Sequence, residues 1–153
     1  MEKQIARVYL DNCCFNRPYD DQSDPKVHLE SQAKMLVQDM IRLHRIELCD
    51  SSVLDYEISR SPYSDRRVAI VDFIKEYSSK KILITGVQEI ADEVHSIMET
   101  GVKIYDAYHV ACAIYAGCDY FLSTDKRLLK YTSEKIKIMN PIDFIREMEN
   151  YDD

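Results

Sequence analysis

At 153 residues, with 46% hydrophobic residues against only 3 Gly and 4 Pro, the chain has the length and composition of a single domain with one proper core. No stretch approaches a membrane span, and Met1-Glu2-Lys3-Gln4 runs straight into a strand-like segment without the apolar core or cleavage site of a secretory signal. A net charge of −7 speaks against a protein that coats duplex DNA, but it leaves room for an enzyme acting on nucleic acid, because a carboxylate cluster itself makes the sum negative.

In chain order, Arg7-Val8-Tyr9-Leu10-Asp11 reads as a buried strand ending in an acid. Asn12 to Pro25 is polar, with two prolines, and predicts a loop of little regular structure. From Val27 to Ile46, the residues Ala33, Leu36, Val37, Met40 and His44 follow helical spacing. Ile46 to Cys49 is a second strand. Ser52, with Asp55 three residues on, opens a short helix that Pro62 ends. Ile70, Phe73, Ile74 and Tyr77 mark another helix, and Ile82-Leu83-Ile84 a third strand. Val87, Ile90, Ala91, Val94 and Ile97 form the next helical stripe, and Asp106 to Ala116 an Ala-rich helix stopped by Gly117. Tyr120 to Ser123 is a fourth strand, followed by a short helix at Leu128-Leu129, a strand at Ile136 to Ile138 and a final helix opened by Asn140-Pro141. Strands alternating with helices predict an α/β fold: a mostly parallel sheet covered on both faces, in one domain over residues 1–153. Five cysteines, odd in number and without a Cys-x-x-Cys pair, read as reduced thiols of a cytoplasmic protein.

Most of the 27 acids belong on solvated faces, so the informative ones are those the local pattern turns inward. Asp11 and Asp125 each sit at the carboxyl end of a strand, where open parallel sheets bind their ligands. Asp125 is also placed to cap the helix that follows it. Glu57 shares the apolar face of Val53, Leu54 and Ile58, while Asp55 lies about 200° away around the helix. Asp106 shares a face with Val110 and Ala113, although a carboxylate in a first helical turn is also favourable in its own right. Four carboxylates gathered without a cation would repel one another. An oxygen-only set with no Cys or His at zinc spacing suits Mg²⁺ or Mn²⁺, and such a site can prepare water for in-line attack on a phosphodiester.

Val8-Tyr9-Leu10-Asp11-Asn12, Leu54-x-x-Glu57, Asp106-Ala107-Tyr108-His109-Val110-Ala111-x-Ala113 and Asp119 to Asp125 resemble the acidic motifs of PIN domains, in the family's order and over nearly the whole chain. The resemblance implies a three-layer α/β/α fold and metal-binding, catalytic roles for Asp11, Glu57, Asp106 and Asp125. It implies a Mg²⁺- or Mn²⁺-dependent ribonuclease, as in the toxins of VapBC-type toxin–antitoxin modules. RNA is then the substrate, with an antitoxin protein and a second copy of the chain as expected protein partners and no membrane. Ser123 and Thr124 add hydroxyls to the water network. Asn12, Arg17 and Lys126, beside the acidic motifs, are candidates for substrate contacts.

A hydrogen-bonded role is the stronger reading for His109, one turn from Asp106, since metal replaces a protein base here. Cys13 and Cys14 have no base placed to activate them. A haloacid-dehalogenase-type phosphatase also begins strand-then-Asp, but needs a second Asp where this chain has Cys13. The competing class is a catalytically silent PIN-like module that binds RNA or a protein without turnover.

Overall fold

The computed structural model describes residues 5–152, with side chains described through Glu149. Five strands, β1 (Ala6–Leu10), β2 (Ile46–Ser51), β3 (Ser78–Ile82), β4 (Tyr120–Leu122) and β5 (Lys137–Met139), form one sheet in the order β3-β2-β1-β4-β5. Every pairing is parallel. The helices are α1 (Asn12–Asn16), α2 (Pro25–Arg42), α3 (Ser52–Ser59), α4 (Ser64–Tyr77), α5 (Gln88–Met98), α6 (Ile104–Tyr115) and α7 (Pro141–Asp152). The three-layer α/β/α arrangement is the one the alternating pattern predicts.

The period-2 alternation of β1 builds two cores, one on each side of the sheet. Tyr9 points to one side, where it stacks on Phe121 at 5.3 Å and packs with residues of α5 and α6 such as Ile90, Val94, Val110 and Ala113. Val8 and Leu10 point to the other, against Phe15, Val37, Ile41, Leu54, Ile70 and Phe144. Because both faces are covered, β1 and β4 carry continuous apolar runs, Val8-Tyr9-Leu10 and Tyr120-Phe121-Leu122. No helix among the described residues is long and apolar enough to cross a membrane.

Three elements differ from their expected form. The predicted loop after Asp11 begins as α1 and a 3-10 turn at Arg17–Tyr19, because Asp11 caps the helix and Cys14 and Phe15 are buried beneath it. The third strand is Ser78–Ile82 rather than Ile82 to Ile84: it is an edge strand of polar residues, Ser-Ser-Lys-Lys, and Leu83 lies exposed beyond it. α2 stops at Arg42, since His44 takes the left-handed conformation (φ 57°) and Arg45 closes back on the Met40 carbonyl at 2.9 Å. Leu36, expected on the apolar stripe of this helix, is half exposed.

Candidate active site

The strand order reverses at β1, with β2 and β3 on one side and β4 and β5 on the other. The crevice between the carboxyl ends of β1 and β4 is therefore the topological switch point, where open parallel sheets place ligands. Asp11 stands at the end of β1, stitched to the seam by its own N–H, which donates to the Leu122 carbonyl of β4 at 3.2 Å. Its Oδ1 accepts the Cys14 N–H at 3.0 Å. The other oxygen, Oδ2, is buried with no hydrogen-bond partner, in a residue only 2% exposed. Burial pushes this carboxyl up to about 6, against the pull of the Ser123 hydroxyl, the Cys14 N–H and the nearby His109. An orphaned, desolvated carboxylate oxygen at a switch point is a costly arrangement unless something binds there.

Glu57 reaches the same crevice from α3. That helix is opened by Ser51, the residue before the predicted cap, whose Oγ accepts the Leu54 N–H at 3.1 Å. Glu57 Oε1 is hydrogen-bonded to Nε2 of His109, a buried residue of α6. His109 Nδ1 lies 2.6 Å from the Tyr9 hydroxyl, which in turn lies 2.6 Å from Ser51 Oγ. With the Ser51 oxygen already accepting the Leu54 N–H, one directional chain satisfies every atom. Ser51 donates to Tyr9, Tyr9 donates to Nδ1, and Nε2–H donates to Glu57, an assignment made from the network. Burial holds the Tyr9 hydroxyl well above its ordinary range, so it remains a donor. Two strands and two helices thus fix the orientation of one carboxylate.

Asp106, in the first turn of α6, has its carboxyl raised by burial and then by the neighbouring Asp125 and Glu57 charges, while His109 and Lys103 pull it back. Asp125 keeps both roles open to it in the sequence: Oδ1 accepts the Arg127 N–H at 2.8 Å, capping the following turn, and the residue still lines the crevice. Asp11, Glu57, Asp106, His109 and Asp125 line one open cleft of about 520 Å³. Among the described residues no three His, Cys, Asp or Glu side chains are already drawn together as the ligand shell of an ion. The donors nonetheless fit a hard divalent cation, being all carboxylate oxygens, mutually repelling, with one left unpartnered at Asp11.

The sequence model of the PIN domain family matches residues 8–134, a span that holds all four carboxylates. The chain belongs to the PIN domain family. Among solved structures it is similar to a chain from the crystal structure of VapBC2 from Rickettsia felis bound to a DNA fragment from their promoter. The TM-score is 0.53 at 10% identity, covering 86% of this chain and 96% of that one, a likeness of fold. Among curated proteins none matches the sequence.

The remaining expected site residues of this PIN domain fall into two groups. Ser123 and Thr124 are buried at the β4 end, and the Ser123 hydroxyl accepts the Asp125 N–H at 3.0 Å, so they set the loop that carries Asp125. Lys126 is exposed beside the cleft. Asn12 faces the cleft, but its side chain accepts from Asn16 at 2.9 Å and does not hold the Asp11 carboxylate. Arg17 is committed elsewhere, donating to Glu30 at 2.8 Å and to Asp20 at 3.1 Å. Cys13 lies exposed at the cleft beside the Asp11 carboxylate, a setting that disfavours a thiolate nucleophile. Sequence reasoning missed Tyr9, which reads locally as a strand residue, and Ser51, which lies between the predicted strand end at Cys49 and the predicted cap at Ser52. It also passed over Lys103 and Tyr63, and weighed Arg66 for phosphate contacts without choosing it, because their place beside the cleft depends on the tertiary fold.

Proposed function

We propose that this PIN domain is a Mg²⁺- or Mn²⁺-dependent endoribonuclease that hydrolyses RNA phosphodiester bonds. We propose further that it is the toxin of a VapBC-type pair, with an antitoxin protein and a second copy of the chain as protein partners. The observation that carries the reading is the buried, unpartnered Asp11 Oδ2 at the β1/β4 switch point, in a residue that lines one cleft with Glu57, Asp106 and Asp125. A bound divalent ion would supply Lewis-acid activation of water and would neutralise charge on the leaving oxygen. Asp11, Asp106, Asp125 and Glu57 would hold it. Asp11 is fixed by the Cys14 N–H, and Glu57 is aimed by the Ser51–Tyr9–His109 chain, so both enter catalysis without reorganisation. Ser123 positions the loop of Asp125. Membership of a family whose members are commonly metal-dependent nucleases supports the assignment, as does likeness of fold to a VapBC2 chain.

A second reading, a silent module that binds RNA or a protein, draws on the engagement of Glu57 by His109 and on the absence of a gathered ligand shell among the described residues. The experiment that separates the two is cleavage of a labelled single-stranded RNA by purified protein. Mn²⁺ should support cleavage, EDTA should stop it, and Asp106→Asn should lower the rate by at least about 100-fold, since even residues behind a ligand typically matter by 10–100-fold. No Mn²⁺-dependent cleavage, or cleavage unchanged in Asp106→Asn, sinks the enzyme reading in favour of the silent module. Expression should arrest growth, and co-expression of the neighbouring reading frame should relieve it; harmless expression removes the toxin role alone.

A further inference from the structure

A cavity of about 250 Å³ is walled by α1, the Arg17–Tyr19 turn, α2 and α4, and shares no lining residue with the carboxylate cleft. Phe15, Phe73, Ile70 and Met35 make much of its wall apolar. Its polar side chains are Lys34, Gln38, Arg42 and Tyr19, and no Asp or Glu lines it. In a chain with 27 acids and a net charge of −7, a cavity with two cations and no carboxylate is a local inversion of sign.

Lys34 is the unusual member. It is buried, with Nζ 5.3 Å from the Phe15 ring centroid and donating to Gln38 Oε1. Glu30, one turn earlier on α2, does not pair with it, because its two oxygens are engaged by Arg17 and Asn140. Arg42 repels it and is itself held by Asp39 at 3.1 Å. Burial lowers the ammonium only to about 8, so it is charged at pH 7. A buried charge is costly unless it is paired, and this one has an amide oxygen in place of a carboxylate. Donors are also in excess. An ammonium carries three N–H groups, of which one is used among the described residues, and Gln38 spends its oxygen on Lys34, which leaves its N–H₂ to donate. Unused N–H groups beside two cations call for an acceptor that is negatively charged.

We propose that this cavity binds a small organic acid, its carboxylate held by Lys34 and its apolar body, about one ring in size, lodged against Phe15, Ile70 and Phe73. The carboxylate completes the ion pair that the fold withholds from Lys34, and the aromatic and aliphatic wall accounts for the body. A volume of about 250 Å³ is below that of drug-sized ligands and suits a single ring with one acid group. The site is separate from the carboxylate cleft and stands whether or not the chain cleaves RNA.

The test is calorimetric titration of the metal-free full chain at neutral pH, with sodium benzoate exchanged for sodium chloride at constant ionic strength. Benzoate should bind once per chain with a Kd below about 1 mM. Benzamide has the shape without the charge, and acetate the charge without the ring; each should bind at least about tenfold more weakly. Lys34→Met should weaken benzoate binding by at least about tenfold. Lys75→Gln, which removes an exposed cation of α4 outside the cavity, should leave it unchanged. Benzoate that fails to saturate, benzamide or acetate that matches it, or full affinity in Lys34→Met each overturns the proposal. An equal loss in Lys75→Gln also overturns it, by showing attraction to the surface at large. The three-ligand comparison needs only the wild type, so it decides the matter even where Lys34→Met does not fold.

Discussion

Asp11 shows how one residue can carry a fold and a site together. Its Oδ1 caps α1 and its N–H ties β1 to β4, so the carboxylate stands where the backbone needs it. Its Oδ2, buried and unpartnered, has no structural use. A desolvated charge of this kind destabilises the metal-free protein at neutral pH and is relieved by protonation or by a bound cation. Asp11→Asn keeps an oxygen for the Cys14 N–H and removes the buried charge. Metal-free Asp11→Asn should therefore melt a few degrees above metal-free wild type, as roughly 1–2 kcal/mol implies for a chain of this size. Mn²⁺ should raise the melting temperature of the wild type and leave the variant unmoved. Calorimetry with and without Mn²⁺ decides it: a variant that melts lower, or that responds to Mn²⁺ like the wild type, contradicts the assigned role of Asp11. Asp125→Asn likewise keeps an oxygen for the Arg127 N–H, so its cap survives the loss of charge.

At the scale of elements, the strands that reach the site were legible because β1 and β4 are apolar runs that end in Asp11 and Asp125. The Ser51–Tyr9–His109 chain was not, because its members come from β2, β1 and α6 and meet only across the sheet. β3 was misplaced for a local reason: Ser78 to Lys81 carry no apolar alternation, and their strand state comes from pairing with β2. α2 is the other exception, since its buried face is strongly polar. Glu30, fully buried, is tied to Arg17 and Asn140, and Lys34 is 3% exposed beside Phe15 with Gln38 as its hydrogen-bond partner. Burial, with Arg42 adding to it and Cys14 opposing it, lowers the Lys34 ammonium from its ordinary 10.5 to about 8. Below about pH 8 both folded and unfolded chains hold the proton, and the cost of burying the charge is fully present. Between about 8 and 10.5 the unfolded chain binds more protons, so this cost disappears as pH rises. The whole interval corresponds to about 3 kcal/mol. Lys34→Met should exceed the wild type in stability at pH 7.5, with the gap closing toward pH 10. Urea midpoints at the two pH values provide the check, and a gap independent of pH would show that Lys34 is not desolvated.

For the whole molecule, the two cores are separated by the sheet yet share its central strands. β1 sends Tyr9 to the α5–α6 side and Val8 and Leu10 to the α2–α4 side, and β4 does the same with Phe121 against Tyr120 and Leu122. Neither helical layer can keep its apolar face covered without the sheet, so residues 5–152 should unfold in one step. With 11 tyrosines and no tryptophan, the probes are tyrosine fluorescence, far-ultraviolet dichroism and the reactivity of buried Cys14 and Cys112, which lie on opposite sides of the sheet. Their midpoints in urea should coincide. Phe121→Ala removes a fully buried ring stacked on Tyr9 and should cost about 3–5 kcal/mol. If the layers form one cooperative unit, that substitution exposes Cys14, across the sheet from the lost ring, at the same lowered urea concentration as Cys112. An early exposure of Cys112 with Cys14 still protected would divide the fold into two units, each stable on its own side of the sheet.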